Sequence, residues 1–295
     1  YTYKWTTGAT AQDISSLCVN TYTVTVSDAN NCKEIASASI TQPAVLTATA
    51  TADSVSCFAG SNGSAAVAAG GGTVPYTYKW SNGQTTQTAV HLSTGSYCAT
   101  VTDSKGCKAN GCTVVQQPVL IVLTMDSTDV SCSGGFDGKA GVVAVGGVGS
   151  YKYKWNNGST TASISNLTAG LYTVTVTDGN GCAKTDNVAV IQPSGVTLKT
   201  ASTPVLCFGG NDGTASITAS GGVGGYTYKW ITGSTSQAIT VSAGTYTVTV
   251  RDANNCPMVT SQPVSQPTDV VLTTSSVAVK CFGGSNGIAT ANTSG

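Results

Sequence analysis

YTYKW, at Tyr226–Trp230, decides how this chain is read. Written as a strand, it sets Tyr226, Tyr228 and Trp230 on one face and Thr227 and Lys229 on the other, because side chains alternate with period two. The same letters stand at Tyr1–Trp5 and Tyr76–Trp80, with YKYKW at Tyr151–Trp155. Trp5, Trp80, Trp155 and Trp230 are the only tryptophans and fall 75 residues apart, a period that signals tandem repeats. Length alone suggests about two domains; the period overrides it. Three full repeats, 44–118, 119–193 and 194–267, lie between the C-terminal part of a repeat (1–43) and the N-terminal part of a further one (268–295). Both ends read as cuts through a longer array.

Working outward from YTYKW, the 194–267 repeat has a first strand in VTLKTAST, a Gly-rich loop CFGGNDG, and a second strand TASITAS before GGVGG. An Asn-Gly turn follows the tryptophan in two units (SNG and NNG), the usual signal for a hairpin. Two short strands come next, STTA and SISNL in the 119–193 repeat. They lead to TAGLYTVTVTD, where Tyr172, Val174 and Val176 share a face. DGNG, elsewhere DANN or DSKG, describes a type I turn with a G1 bulge. A last strand ends at Gln-Pro, with Pro43, Pro118, Pro193 and Pro267 at the unit boundaries. About seven antiparallel strands in 75 residues predict an all-β fold, a tandem array of small immunoglobulin-like β-sandwiches. The core is expected around Trp5, Trp80, Trp155 and Trp230, with Tyr22, Tyr97, Tyr172 and Tyr246 as tyrosine corners. An odd strand count puts the two termini of each repeat at opposite poles, so the repeats chain end to end as a rod.

Composition agrees with short strands carrying small polar outer faces. Charged residues are 9% of the chain, and 13 basic residues balance 13 acidic ones. No net field draws this segment to nucleic acid or anionic lipid. The longest aliphatic run, VLIVL at Val119–Leu123, is far too short for a membrane span.

The combination of C-F-G-G-x-[ND]-G, Y-T-Y-K-W, G-T-Y-T-V-T-V and D-A-N-x-C at fixed spacing resembles the SprB-type repeat of bacterial gliding-motility adhesins, along the whole chain. GTYTVTV-x-D alone is less specific, being similar to polycystic-kidney-disease-type surface domains. The resemblance implies a very long protein secreted to the bacterial cell surface by the type IX route and used in adhesion or gliding motility. The chain departs from the pattern at Ala59 and Ser133, in the Gly-rich loop, and in three additional cysteines.

Eight of eleven cysteines follow the period: Cys57, Cys132, Cys207 and Cys281 after the first strand, and Cys32, Cys107, Cys182 and Cys256 after the sixth. Periodic cysteines in a secreted array read as disulfides. In a seven-strand sandwich those two loops sit at opposite poles, about 20 Å apart for a six-residue strand. Bridged Cα atoms need about 5.5 Å. This favours staggered bridges, Cys57–Cys182 and Cys132–Cys256, with Cys107 pairing upstream of the segment. The alternative within repeats, Cys57–Cys107, Cys132–Cys182 and Cys207–Cys256, stays open because the topology is itself inferred. Cys98 falls opposite Cys112 across the DSKG turn, which suggests a cross-strand bridge. Cys18 has no partner within the segment.

No catalytic constellation and no cofactor site is found. His91, the only histidine, stands where other units have Ser15, Asn166 or Thr240 and reads as an exposed strand-end residue. Asp28, Asp103, Asp178 and Asp252 are calcium candidates, set against the plainer reading that each caps its own turn. Lys4, Lys79, Lys154 and Lys229 alternate away from the tryptophan and read as solvated. The Gly-rich loops lack the Lys-Ser/Thr and the helix of a phosphate cradle. Ser54 and Ser127, in Asp-Ser-Val and Asp-Ser-Thr, fit an O-glycosylation pattern as well as chance.

Two function classes follow: a structural shaft giving length and mechanical stability, or an array in which each repeat binds a surface glycan or protein with avidity. The periodic aromatics, read as inward, favour the shaft. The expected partners are neighbouring repeats of the same chain and other copies in a filament.

Overall fold

The computed structural model describes all 295 residues, and every element in it is a strand. No helix is long and apolar enough to cross a membrane. The strands are β1 (Thr2–Trp5), β2 (Asn20–Ser27) and β3 (Lys33–Ile40); β4 (Thr47–Asp53), β5 (Gly63–Gly70), β6 (Thr77–Trp80), β7 (Thr88–Leu92), β8 (Gly95–Thr102) and β9 (Lys108–Val115). The six-strand pattern recurs as β10 (Val122–Thr128), β11 (Gly138–Val145), β12 (Lys152–Trp155), β13 (Ser163–Leu167), β14 (Gly170–Thr177) and β15 (Ala183–Val190). It recurs again as β16 (Thr197–Thr203), β17 (Gly213–Ser220), β18 (Thr227–Trp230), β19 (Ala238–Val241), β20 (Gly244–Arg251) and β21 (Pro257–Val264), before β22 (Val271–Val277) and β23 (Ile288–Ser294). The chain divides into two compact units. One is Tyr1–Leu120 with Gly146–Gly149 and Gly179–Cys182; the other is Ile121–Val145, Ser150–Asp178 and Ala183–Gly295.

Each six-strand module is a sandwich of two three-stranded antiparallel sheets, β4-β5-β7 over β6-β8-β9 in the first, and equivalently in the other two. Alternation fixes which face is buried. Trp80, Trp155 and Trp230 are 1% exposed, packed with Val67, Leu92 and Val101 in the first module and their counterparts in the others. An indole removing roughly 200 Å² from water is worth about 5 kcal/mol by transfer, the largest single contribution to cores this small. Its N–H is satisfied at the same time: Nε1 of Trp80, Trp155 and Trp230 donates to the carbonyls of Thr86, Thr161 and Ser236. Tyr22, Tyr97, Tyr172 and Tyr246 each donate a hydroxyl to the carbonyl four residues earlier, on Cys18, Ser93, Thr168 and Ser242, which closes a tyrosine corner.

The strand count differs from the sequence expectation: six per module, with Ser159–Ala162 and its counterparts outside any strand. The Asn-Gly turn does form, with Gly83 at φ 91° and its N–H bonded to Trp80 O, but it opens no hairpin. Instead, residues 81–87 carry the chain from one sheet to the other. β6 pairs only with the Ala99–Thr102 half of β8, and β7 only with the Gly63–Ala66 half of β5. The two short strands therefore run in the same direction at different heights, as one strand broken between sheets. The Trp80 N–H bond to Thr86 holds that crossing in place.

This break restores the polarity that seven strands would have given. β4 and β9 also lie side by side and parallel: Gly111 sits against the Ala48 backbone, and Val55 N–H donates to Gln116 O further along both strands. Val130 with Ile191 and Val205 with Ser265 repeat the bond. Each module consequently enters at one pole and leaves at the other. The cysteine loop after the first strand lies at the exit pole, and the Asp turn before the last strand at the entry pole.

Candidate functional site: the cysteine junctions

The cysteine loop (54–62 in the first module) is braced from three sides. A tight turn is closed by the N–H of Gly60, Gly135 or Gly210 on the carbonyl of Cys57, Cys132 or Cys207. The residue before that glycine is left-handed: Gly134 at φ 73°, Gly209 at φ 74°, and the non-glycine Ala59 at φ 57°. The side-chain oxygen of Asn62, Asp137 or Asp212 accepts the N–H of the residue preceding the cysteine, at 2.9–3.1 Å. Ser131, by its hydroxyl and then its N–H, holds the Asp137 carboxyl below the ordinary carboxylate value. Finally Gln117, Gln192 and Gln266, from the Gln-Pro ends, accept the N–H of Ala59, Gly134 and Gly209. Sequence reading used these dipeptides only as boundary marks and missed the glutamine's part. Gly63, Gly138 and Gly213, which follow Asn62, Asp137 and Asp212, have no room for a side chain: a Cβ on Gly138 would lie 2.7 Å from Val190 Cγ1.

The Asp turn is held by its own carboxylate. Asp103 accepts from the N–H groups of Lys105 and Cys107 with one oxygen and from Thr73 with the other, all at 2.8–2.9 Å. Asp252 does the same with Asn254, Cys256 and Val223. Asp28 holds Asn30 and Cys32. Asp103, Asp178 and Asp252 are buried. Burial pushes the Asp103 carboxyl up, but the Thr73, Cys107 and Lys105 N–H groups together outweigh it and hold it below the usual range. The Val223 N–H does most to lower Asp252, against burial, with help from Cys256 and Asn254. N–H donors stand where a cation would need oxygen ligands, and no group of three or more metal-ligating side chains forms. The bonds printed for Asp28, Asp103 and Asp252 are those of the turn-capping role that was set beside calcium.

The two elements meet. Cys57 is bonded to Cys182 and Cys132 to Cys256, each with Cα atoms 5.6 Å apart. A cysteine loop is thereby joined to the Asp turn of the following module. The bond is flanked by a polar contact: Asn180 Nδ2 donates to Ser56 O, and Asn254 Nδ2 to Ser131 O, both at 2.9 Å. Cys182 Sγ also lies 3.3 Å from Ser56 O. The contact across the junction uses only the backbone of the residue before the loop cysteine; the Ser56 and Ser131 hydroxyls are engaged inside their own loops, by Asn62 and Asp137, a bond that Leu206 cannot make. A third bridge, Cys98–Cys112, joins directly opposed residues of β8 and β9. It stands where β2–β3 and β20–β21 carry hydroxyl pairs, Thr23 with Ser37 and Thr247 with Ser261. Cys18, Cys32, Cys107, Cys207 and Cys281 are exposed thiols.

His91 is exposed and left-handed (φ 57°), at a shift in the β5–β7 register that Asn166 (φ 56°) repeats in β11–β13. Its counterpart in the first segment is Ser16 (φ 61°), one residue from the Ser15 expected by alignment. In β17–β19 the ladder runs unshifted, with Thr214 opposite Thr240. Lys4, Lys79, Lys154 and Lys229 are exposed, as are Ser54 and Ser127. One expectation about aromatics needs correcting. Beside the inward Tyr and Trp, Phe58, Phe208 and Phe282 recur next to the loop cysteine and are exposed, Phe58 by 46% and Phe208 by 52%.

Comparison with known proteins adds to this geometry. The SprB repeat model matches residues 49–85, 124–160 and 200–235, three tandem segments that each run from the first strand through the cysteine loop to just past the tryptophan. No curated protein matches the chain. Among solved structures, a tetra-tandem repeat in the extending region of a large adhesion protein shares 15% identity over 90% of each chain, with a TM-score of 0.27. The N-terminal four Ig domains of Dscam1 isoform 8.4 share 12% identity over 90% of this chain and 91% of that one, with a TM-score of 0.24. The N-terminal eight Ig domains of Down syndrome cell adhesion molecule isoform 1.30.30 share 11% over 87% of this chain, with a TM-score of 0.25. This chain spans 52% of that longer one. All three overlaps are loose.

Proposed function

We propose that this chain is part of the shaft of a long bacterial cell-surface adhesin or extracellular filament, in which the repeats supply length and mechanical stability for adhesion or gliding motility. The observation that carries the reading is the stitching of successive modules by Cys57–Cys182 and Cys132–Cys256. It spends the periodic cysteines on holding neighbours together. The three SprB repeat matches support a cell-surface setting, and the bridges fit an oxidising compartment. In this reading the repeats are 44–118, 119–193 and 194–267, entered at one pole and left at the other, and they follow one another as a rod after export by the type IX route. No reaction or cofactor is assigned.

Immunogold labelling with antibody against the 119–193 repeat tests it on intact cells of the source bacterium. Label along thin fibres outside the envelope, removed by surface proteolysis, is expected; label confined to the cell interior overturns it.

A second reading is kept alive by the exposed Phe58, Phe208 and Phe282, which an array of glycan- or protein-binding sites would present at equivalent positions. Saturable binding of one recombinant repeat on a glycan array, abolished by Phe→Ala at that position, would move the assignment to it.

A further inference from the structure

We propose that tension in this chain is carried by two covalent lines that bypass the sandwich cores, and that each module clamps the two lines side by side. The proposal deepens the shaft reading and takes from it only the presence of tension.

The lines follow from where the bridges attach. Cys57 stands just beyond β4, the first strand of its module, and Cys182 just before β15, the last strand of the next. A pull on β4 therefore passes through the Cys57–Cys182 sulfurs into β15, and from there through Pro193 into β16. The second line has the same make-up: β9 leads through Pro118 into β10, then through the Cys132–Cys256 sulfurs into β21. A strand already rises about 3.3 Å per residue, and a chain drawn straight reaches at most about 3.6 Å, so neither line has much length to give.

Each module holds one strand of each line. β4 lies beside β9, β10 beside β15 and β16 beside β21, parallel in every case, because both members run from the pole where the module begins to the pole where it ends. Bonds from the N–H of Val55 to Gln116 O, of Val130 to Ile191 O and of Val205 to Ser265 O tie the pairs together. Gly111 lets the first pair close up, since a Cβ there would lie 2.9 Å from the Ala48 carbonyl oxygen. Asp129 accepts the Ile191 N–H in the second pair, and Gln262 Nε2 donates to Ser202 Oγ in the third. A difference in load between the lines acts along these strands, in shear, so all the bonds between them resist it at once. An antiparallel hairpin pulled at its open end yields one bond at a time.

The Trp-centred core thus has a different task from the strands that flank it. It keeps the two lines together without lying in the path of the pull, and its melting releases no length into either line.

The test holds the purified chain in magnetic tweezers by azide-bearing residues at the exposed positions 45 and 206, on the first line. Through the bridge these handles are about 36 residues apart, mostly β4, β15 and β16; along the backbone they are about 161 apart. With the bridges intact, verified by non-reducing peptide mapping, the tether should lengthen by no more than a few tens of ångströms, without a module-sized step. With reductant, the same force should give two steps of about 200 Å, one per module. A reduced chain unfolded before pulling would reach the same length without steps and support the lines equally. Module-sized steps in the oxidised tether would overturn the proposal, as would a Cys57–Cys107 peptide.

The clamp is read on the same chain with other handles. Held at 45 and 119, the first module has β4 loaded against β9 in shear; held at 45 and 74, β4 is peeled from β5. The first should withstand a several-fold higher force, and equal forces would exclude the clamp. Failure here leaves the shaft reading standing, whereas immunogold label inside the cell would remove that reading and leave the lines.

Discussion

The side chain of Asn180 donates to the carbonyl of Ser56, a residue 124 positions earlier in the chain. Asn254 stands in the same relation to Ser131, at a separation of 123. Each bond runs beside a disulfide and aligns the same two backbones, so the junction has a non-covalent half that can be weakened without touching the sulfurs.

Asn254→Ala should therefore loosen the Cys132–Cys256 junction while leaving each module folded. A hydrogen bond of this kind is worth about 1 kcal/mol net. The equilibrium for forming that disulfide against glutathione should fall about fivefold, read by quantitative alkylation in redox buffers. An unchanged equilibrium would mean that Asn254 is a bystander.

Ala59 occupies a left-handed position where the other loops have glycine. A Cβ there costs about 1–2 kcal/mol, part of which is returned because glycine is floppier when unfolded. Ala59→Gly should raise stability by about 0.5–1 kcal/mol, and Gly209→Ala should lower it by a similar amount, both measured by urea denaturation.

Gly138 is tied to its type by contact, since its φ is not left-handed. A methyl group would press on Val190 Cγ1 at 2.7 Å and on the Leu167 carbonyl at 2.9 Å. Gly138→Ala should cost about 1–3 kcal/mol, the usual range for overpacking. Thermal unfolding by calorimetry reads it.

The aspartates of the turns set the acid limit. Asp103 and Asp252 have folded carboxyl values below the ordinary 3.8. Their contribution is complete above the unfolded value and is lost as the pH falls from about 3.8 through the folded value. Tryptophan fluorescence should report the third module opening in that window. Asp252→Asn should already be less stable at neutral pH, because an amide N–H would face the Val223 N–H, and it should show a shallower loss below pH 4. An equal acid slope in both proteins would exclude Asp252 as the titrating group.

The core was legible because alternation is a local property: YTYKW and YTVTV announce their buried faces letter by letter. The tyrosine corner was legible for the same reason, from a Gly two residues before a strand-opening Tyr. The crossing at 81–87 was not. An Asn-Gly turn has the same chemistry whether the next strand pairs with the last or moves to another sheet, and only the half-length pairing of β6 and β7 distinguishes them. The Gln117, Gln192 and Gln266 clamps were hidden for another reason: each reaches a residue 57 or 58 positions away. The disulfide pattern depended on strand polarity. Two alternatives stood open in the sequence, and the structure has the staggered one.

The two staggered bridges also turn a linear polymer into a network. The Cys57–Cys182 and Cys132–Cys256 bonds are two nodes joined by three polypeptide routes, the shortest being the roughly 50 residues from Cys132 back to Cys182. If every module melted under tension, that short route would come taut first and the other two would hang slack. Pulled from its ends in an optical trap, the oxidised chain should reach only about half the contour length of the reduced one, a difference of about 500 Å at ~3.4 Å per residue. Three bridges confined within repeats would hide about the same length, so the extension reports that the bridges have formed, and non-reducing peptide mapping reports which cysteines they join. The folded cores would then set the stiffness of the chain, while the sulfurs set how far it can be drawn out.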